Sequence, residues 1–227
     1  MAVEFCIVSI GALSHNRLWG ETAAVRTAHA TSTYIEDGDR RILIDPSLPA
    51  QALAARFNER TGKSLSDVTD VFCTTLRPVH RRSVEAFDGA TWWVSQLELE
   101  SYRAHLEGLG QSADRLSSAD AQSVKADLKL IERFKPAPDK FTPQISLYPL
   151  YGPSVGSAGL LLSPSASTIV IAGDAALTAE HVQRGQIWQG CADTGAAGES
   201  LQDLLQIADV IIPGHDNLML APSRKWL

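Results

Sequence analysis

Four times along this chain an apolar run of β character stops abruptly at side chains able to do chemistry. Arg41-Ile42-Leu43-Ile44 runs into Asp45, and Val71-Phe72-Cys73 into the segment Thr74-Thr75-Leu76-Arg77-Pro78-Val79-His80. Thr168–Ala172 is closed by Gly173-Asp174, and Asp209–Pro213 by Gly214-His215-Asp216. Strand ends carry ligand and catalytic groups because the sheet behind them is rigid while the loop is free to vary. If these strands lie side by side, their ends can meet in one site.

The intervening sequence supports that arrangement. Residues 33–36 and 41–45 are β-type runs joined by Asp37-Gly38-Asp39, which reads as a hairpin. From Pro49 the spacing of Leu53, Ala54 and Phe57 turns helical and Gly62 ends it. The first strand is expected at Phe5–Ile10, with others at 68–74, 91–95, 145–150, 160–162, 168–172 and 209–213. Helices are expected at 97–109, 178–188 and 198–207, and a short one at 83–87. The polar stretch 111–141 reads as helix and loop. Hairpins and strands followed by helices, given twice, suggest two sheets packed face to face with helices outside. At 227 residues, one domain spanning 1–227 is the expectation.

Composition narrows the function classes. Lys and Arg number 20 against 26 Asp and Glu, a net charge of −6 without a basic stripe, which argues against nucleic acid. No apolar run approaches the roughly 20 residues of a membrane span, and Glu4 stands where a signal peptide carries a cation. Cys6, Cys73 and Cys191 are odd in number and have no CxxC spacing, so neither a disulfide framework nor a zinc knuckle is expected. Cys73 reads as inert core. The setting expected is cytoplasmic and the partner a small molecule.

The series Thr31–Tyr34 through Asp45, Asp70–His80, Tyr151-Gly152-Pro153-Ser154-Val155-Gly156-Ser157, Ile171–Asp174 and Ile212–His215 resembles the metallo-β-lactamase superfamily, in the right order over nearly the whole chain. The resemblance implies a four-layer αββα sandwich, an α/β fold, and a hydrolase with one or two metals, often zinc. That family's pattern is HxHxDH, a later Gly-His, a Gly-Asp and a final Gly-His. Here the first His falls on Thr75, the second on Arg77 and the Asp on Val79; His80 is kept, the later Gly-His becomes Gly152-Pro153, and Asp174 and His215 remain.

Valine and proline offer no ligand atom and arginine brings a permanent cation, so a dinuclear centre is not expected. His80, Asp174 and His215 could still hold one divalent metal, zinc, iron or manganese. Alternatively Arg77 replaces the lost metal electrostatically beside Asp174 and Asp45, and the protein is metal-free. In an active version Asp174 would orient a water and Arg77 would hold an anionic substrate group or a developing oxyanion, with His80 among the residues of the centre. The other class of function is a non-catalytic pseudoenzyme using the old cleft, with Arg77 and His80 as contacts for a small, anionic ligand.

Remaining residues have plainer readings. Arg81 and Arg82 are expected to be solvated and paired with Glu85 or Asp88. Thr75 lacks a third group that would make it a nucleophile with His80 as base. His15, His29, His105 and His181 have no ligand spacing, and surface or capping roles suffice, with His29 near the pocket rim. Trp92 and Trp93 should point to opposite faces of a strand. Gly156, Gly173 and Gly214 read as strand-end turns without a phosphate-binding loop. Whether Asp45 reaches the cleft or only caps a turn is open at this point.

Overall fold

The structure, a computed structural model, describes residues 3–111, 117–164 and 166–222. The first sheet takes β1 (Glu4–Ser9), β2 (Ser32–Asp37), β3 (Arg40–Ile44), β4 (Asp70–Phe72), β5 (Thr91–Val94) and β6 (Phe134–Pro136), hydrogen-bonded in that order. β1 to β3 are antiparallel and β3 to β6 parallel. The second sheet has β7 (Lys140–Thr142), β8 (Ile145–Pro149), β9 (Ala158–Leu162), β10 (Ile169–Gly173), β11 (Val210–Pro213) and β12 (Met219–Leu220), in the order β12-β11-β10-β9-β8-β7. β10 and β11 run parallel and the other pairs antiparallel.

Strand periodicity sorts the side chains into three cores. Ile42, Ile44 and Phe72 of the first sheet meet Leu160, Leu162, Ile171 and Ile212 of the second, forming the layer between the sheets. The alternate residues Leu43, Val71 and Trp92 face outward onto helices α1 (Ala50–Thr61), α2 (Gln96–Gln111) and α3 (Ser118–Ile131). Across the molecule Val170 and Ile211 face α4 (Ala179–Gln183) and α5 (Thr194–Ile207). Helices, sheet, sheet, helices is the αββα order, and each fully buried Leu, Ile or Phe in it stabilises the fold by about 1.5–3 kcal/mol. Trp92 and Trp93 divide as alternation requires: Trp92 joins the helix-side core and Trp93 packs between the sheets.

Helix ends follow local chemistry. Ser117 accepts from the Asp120 N–H and Asp193 from the Ala196 N–H, capping α3 and α5. Gly62, at φ 69°, closes α1 as expected.

Three expectations are corrected. The stretch 111–141 holds not only α3 but also β6 and β7, each an edge strand of one of the two sheets; residues 112–116 lie outside the described residues. The helix expected at 178–188 is α4 alone, because Gly185 at φ 61° turns the chain away soon after its end. The short helix at 83–87 is a single 3₁₀ turn, Val84–Ala86.

Candidate functional site

The ends of β3, β4, β10 and β11 meet at one edge of the sandwich. Directly after β3, Asp45 takes φ 49°, the single positive φ outside glycine among the described residues. Aspartate tolerates this conformation better than most residues, and the conformation is held by what the carboxylate reaches. Oδ1 accepts from the Thr74 N–H at 2.8 Å; Oδ2 accepts from the Thr74 hydroxyl at 2.7 Å and from His80 Nδ1 at 2.9 Å. Asp45 therefore reaches the site rather than only capping a turn.

Asp174 is brought in by two glycines. A Cβ on Gly173 would lie 2.6 Å from Thr74 Oγ1, and one on Gly214 would lie 2.7 Å from the Gly173 backbone and 2.9 Å from Asp174 Oδ1. Only glycine at these positions lets the ends of β10 and β11 close onto the loop after β4. Asp174 Oδ1 then lies 3.2 Å from Nε2 of His80 and 3.2 Å from Nε2 of His215, while Oδ2 accepts from Arg77 Nη1 at 2.9 Å. His215 Nδ1 donates to the His29 carbonyl at 2.9 Å.

Both imidazoles thus have Nδ1 tied outward, to Asp45 or to a backbone carbonyl, with Nε2 turned inward. That is the outer-shell arrangement that fixes metal-ligating histidines. His80 Nε2 and Asp174 Oδ1 are buried without a directional hydrogen bond; their 3.2 Å approach is a charge contact, not an aligned bond. The ligand atoms of His80, Asp174 and His215 lie within 4.8 Å of one another, so the three could hold one divalent ion.

The electrostatics are those of a buried ion cluster. Burial opposes a charged His80, but Asp174 and Asp45 on either side outweigh it and raise its pKa to about 10. Burial likewise works against a charged Asp174, yet His80 and the bond from His215 hold its carboxyl well below the usual range. Arg77 completes the cluster: Nη2 donates to the Pro153 carbonyl and the guanidinium stacks 4.0 Å above Trp188.

The structure brings His80, Asp174, His215, Arg77 and Asp45 together, and it separates others. Thr75 turns away from His80 and donates to Glu98 at 2.7 Å; Thr74 is the hydroxyl beside His80, at 3.2 Å. Arg81 is not solvated. It is buried, with Nε donating to the Leu76 carbonyl at 2.6 Å and Nη2 to Asp127 at 2.6 Å and the Tyr102 hydroxyl at 3.1 Å. Arg82 donates to the Ala28 carbonyl, and Asp88 pairs with Arg133. His29 contributes its carbonyl rather than its ring. His181 is buried instead of superficial and lines the cleft over the site together with His15 and Trp188. Cys73 is buried core, with its thiol pushed well up by burial.

Glu98 is the residue sequence reasoning missed. Ser95-Gln96-Leu97-Glu98 has the spacing of a capping box, and Ser95 does cap the Glu98 N–H at 3.1 Å. The carboxylate instead turns away to accept from Thr75 Oγ1, Leu76 N, Ser154 Oγ and Gly156 N at 2.7, 2.9, 2.7 and 3.2 Å. It joins the two loops from which Arg77 and its Pro153 acceptor emerge. Glu98→Gln leaves at least one backbone N–H facing an amide NH₂, and is expected to destabilise the protein by about 1–2 kcal/mol in urea unfolding. An unchanged midpoint would remove the carboxylate from this bracing role.

A sandwich of two mixed sheets with helices on both outer faces and a His-Asp-His cluster at its strand ends defines an αββα protein of the metallo-hydrolase type. The chain belongs to the metallo-β-lactamase superfamily, whose family model matches residues 26–215. Among solved structures, a Thermotoga maritima protein assigned to the metallo-β-lactamases aligns at TM-score 0.71 and 17% identity, covering 97% of this chain and 100% of that one. The dizinc quorum-quenching lactonase AidC aligns at 0.68 and 17%, covering 96% and 87%. AiiA of B. thuringiensis, with N-decanoyl-L-homoserine at its active site, aligns at 0.64 and 17%, covering 95% and 92%. At these identities the likeness is one of fold. No curated protein matches the chain in sequence. Among the described residues no helix is long and apolar enough to cross a membrane.

Proposed function

We propose that this chain is a divergent, hydrolase-like member of its superfamily, a single domain in which the first metal position is lost and at most one divalent ion, zinc, iron or manganese, is held by His80, Asp174 and His215. The carrying observation is how Asp174 is divided: Oδ1 faces two imidazole Nε2 atoms at 3.2 Å, while Oδ2 takes the Arg77 guanidinium at 2.9 Å. Thr75, Arg77, Val79 and Pro153 stand where the family pattern has His, His, Asp and His. None of the four is a metal ligand at neutral pH of the kind those positions supply.

The donor set fits one ion, with two neutral imidazoles, a carboxylate, and open positions for water or substrate. An ion there would supply Lewis acidity toward a water or a carbonyl oxygen. The chain's own residues do the remaining work. Asp45 and the His29 carbonyl fix the two rings, Asp174 orients a water, and Arg77 offers positive charge to an anionic group or a developing oxyanion. Trp188 backs the guanidinium, whose Cζ lies 4.0 Å from the ring centre. That neighbouring folds include lactonases acting on N-acyl homoserine lactones supports a small-molecule substrate.

One observation favours the second reading, a non-catalytic binder of small anions. With His80 charged, Asp45 and Asp174 are balanced by His80 and Arg77 without any ion. Elemental mass spectrometry on tag-free protein decides between them. About one divalent ion per chain is expected, lost in His215→Ala. About two ions per chain would contradict loss of the first position. No metal in either protein after incubation with added metal, together with inactivity on ester, lactone, thioester and phosphoester panels, would establish the binding reading.

A further inference from the structure

The cleft over this site has a volume of about 830 Å³, and its charge opposes that of the protein. The chain carries a net charge of −6, yet Arg17 and Arg77 line the cleft against one carboxylate, Asp174. Both oxygens of that carboxylate already face protein groups, Oδ1 the two imidazoles at 3.2 Å and Oδ2 the Arg77 guanidinium at 2.9 Å. Arg77 spends one N–H of Nη1 on Asp174 and one of Nη2 on Pro153. The rest of its five donors have no hydrogen-bond partner among the described residues, and its side chain is 24% exposed. His181 adds a neutral polar group. Burial draws its pKa down, Nδ1 is taken up by the Thr178 hydroxyl at 2.8 Å, and Nε2 has no hydrogen-bond partner among the described residues.

The remaining wall is apolar. Leu13 and Leu18 come from one side and Leu177, Ile187 and Trp188 from the other. Hydrogen bonds of Arg17 with Gln189 and of Trp19 with Glu180 tie these two segments across the mouth. Uncommitted guanidinium donors beside apolar surface are best satisfied by a charged acceptor attached to an apolar body. A surplus of one positive charge suits a monoanion better than a phosphate dianion.

We infer that this cleft binds an aliphatic monocarboxylate, with its head group on the free edge of Arg77 and its chain along Leu13, Leu18, Leu177 and Ile187. The inference deepens the proposed reading, with which it shares Arg77, but requires no metal. It is tested by calorimetric titration of the chelator-treated full chain with octanoate, octan-1-ol and inorganic phosphate, metal content being measured separately on untreated protein. Metal stoichiometry then judges the proposed centre, and the titration judges the cleft alone.

Octanoate is expected to bind saturably, octanol about tenfold or more weakly, as the loss of a charge-assisted hydrogen bond implies, and phosphate not to displace octanoate. Arg77→Met should bring octanoate down to the octanol level. Because that change also disturbs Asp174, the exposed Arg17→Met serves as a second variant, expected to weaken octanoate several-fold with the fold intact. Octanol binding as tightly as octanoate, displacement by phosphate, absence of saturable octanoate binding, or no change in either variant would each overturn the inference.

Discussion

Asp45→Ala is expected to lower the unfolding free energy of the metal-free protein by about 3–5 kcal/mol, the scale for removing one partner of a buried ion pair. Asp45 is 1% exposed and His80 is fully buried. The substitution takes away the acceptor of three donors at once: the Thr74 N–H, the Thr74 hydroxyl and His80 Nδ1. The imidazolium of His80, whose pKa the two flanking carboxylates raise to about 10 against the pull of burial, would keep only Asp174. Alanine would also have to hold φ 49°, which costs a non-glycine side chain a further ~1 kcal/mol.

Asp45→Asn separates the contributions. It keeps an acceptor for Thr74 and a residue type at ease in the left-handed region, but loses the charge, so roughly half of the loss is expected. Urea unfolding at unchanged slope measures both variants. Alanine within about 1 kcal/mol of the parent would mean that Asp45 serves the backbone turn and not His80.

The parts of this molecule legible in its sequence share a physical cause. The hairpin of β2 and β3, the pair β9 and β10 and the last buried strand β11 are short β-type runs, buried at most of their positions, that stop at polar residues, so strand and strand end are both marked. β6 was not visible because Phe134-Lys135-Pro136 buries one side chain only; its place in the sheet is fixed by pairing with Trp92, Trp93 and Val94. The helix expected over 178–188 included Ile187 and Trp188, which line the cleft beyond the end of α4 instead.

Arg81 failed for a related reason. Its partners, Tyr102 of α2 and Asp127 of α3, lie 21 and 46 residues away, beyond anything local spacing can reveal. Glu98 carried a signal, but a misleading one. Its spacing from Ser95 announces a helix cap, while the four donors that claim its carboxylate come from residues 75–76 and 154–156. As for the site, strand ends in the sequence allowed Asp45, His80, Asp174 and His215 to meet. Their order relative to one another came from the family resemblance, and Trp188 from neither.

Arg77→Met is expected to change stability and metal affinity in opposite directions. In the metal-free protein it removes the cation 2.9 Å from a buried carboxylate that is 3% exposed, and a loss of about 2–3 kcal/mol follows, short of the full buried-pair scale because His80 and His215 still face Asp174. For an incoming divalent ion the same guanidinium is a like charge on the far side of the shared carboxylate. Neighbouring unit charges in an environment of effective dielectric near 20 interact by a few kcal/mol. Removing Arg77 should therefore tighten binding at His80, Asp174 and His215 by about tenfold or more, measured by competition against a chelator of known affinity. Added zinc should then return much of the lost stability, since a ligand bound only by the folded state stabilises in proportion to the logarithm of its saturation. A methionine variant that loses stability and also binds metal more weakly would show Arg77 to be a support of the centre and not the charge that took the first metal's place.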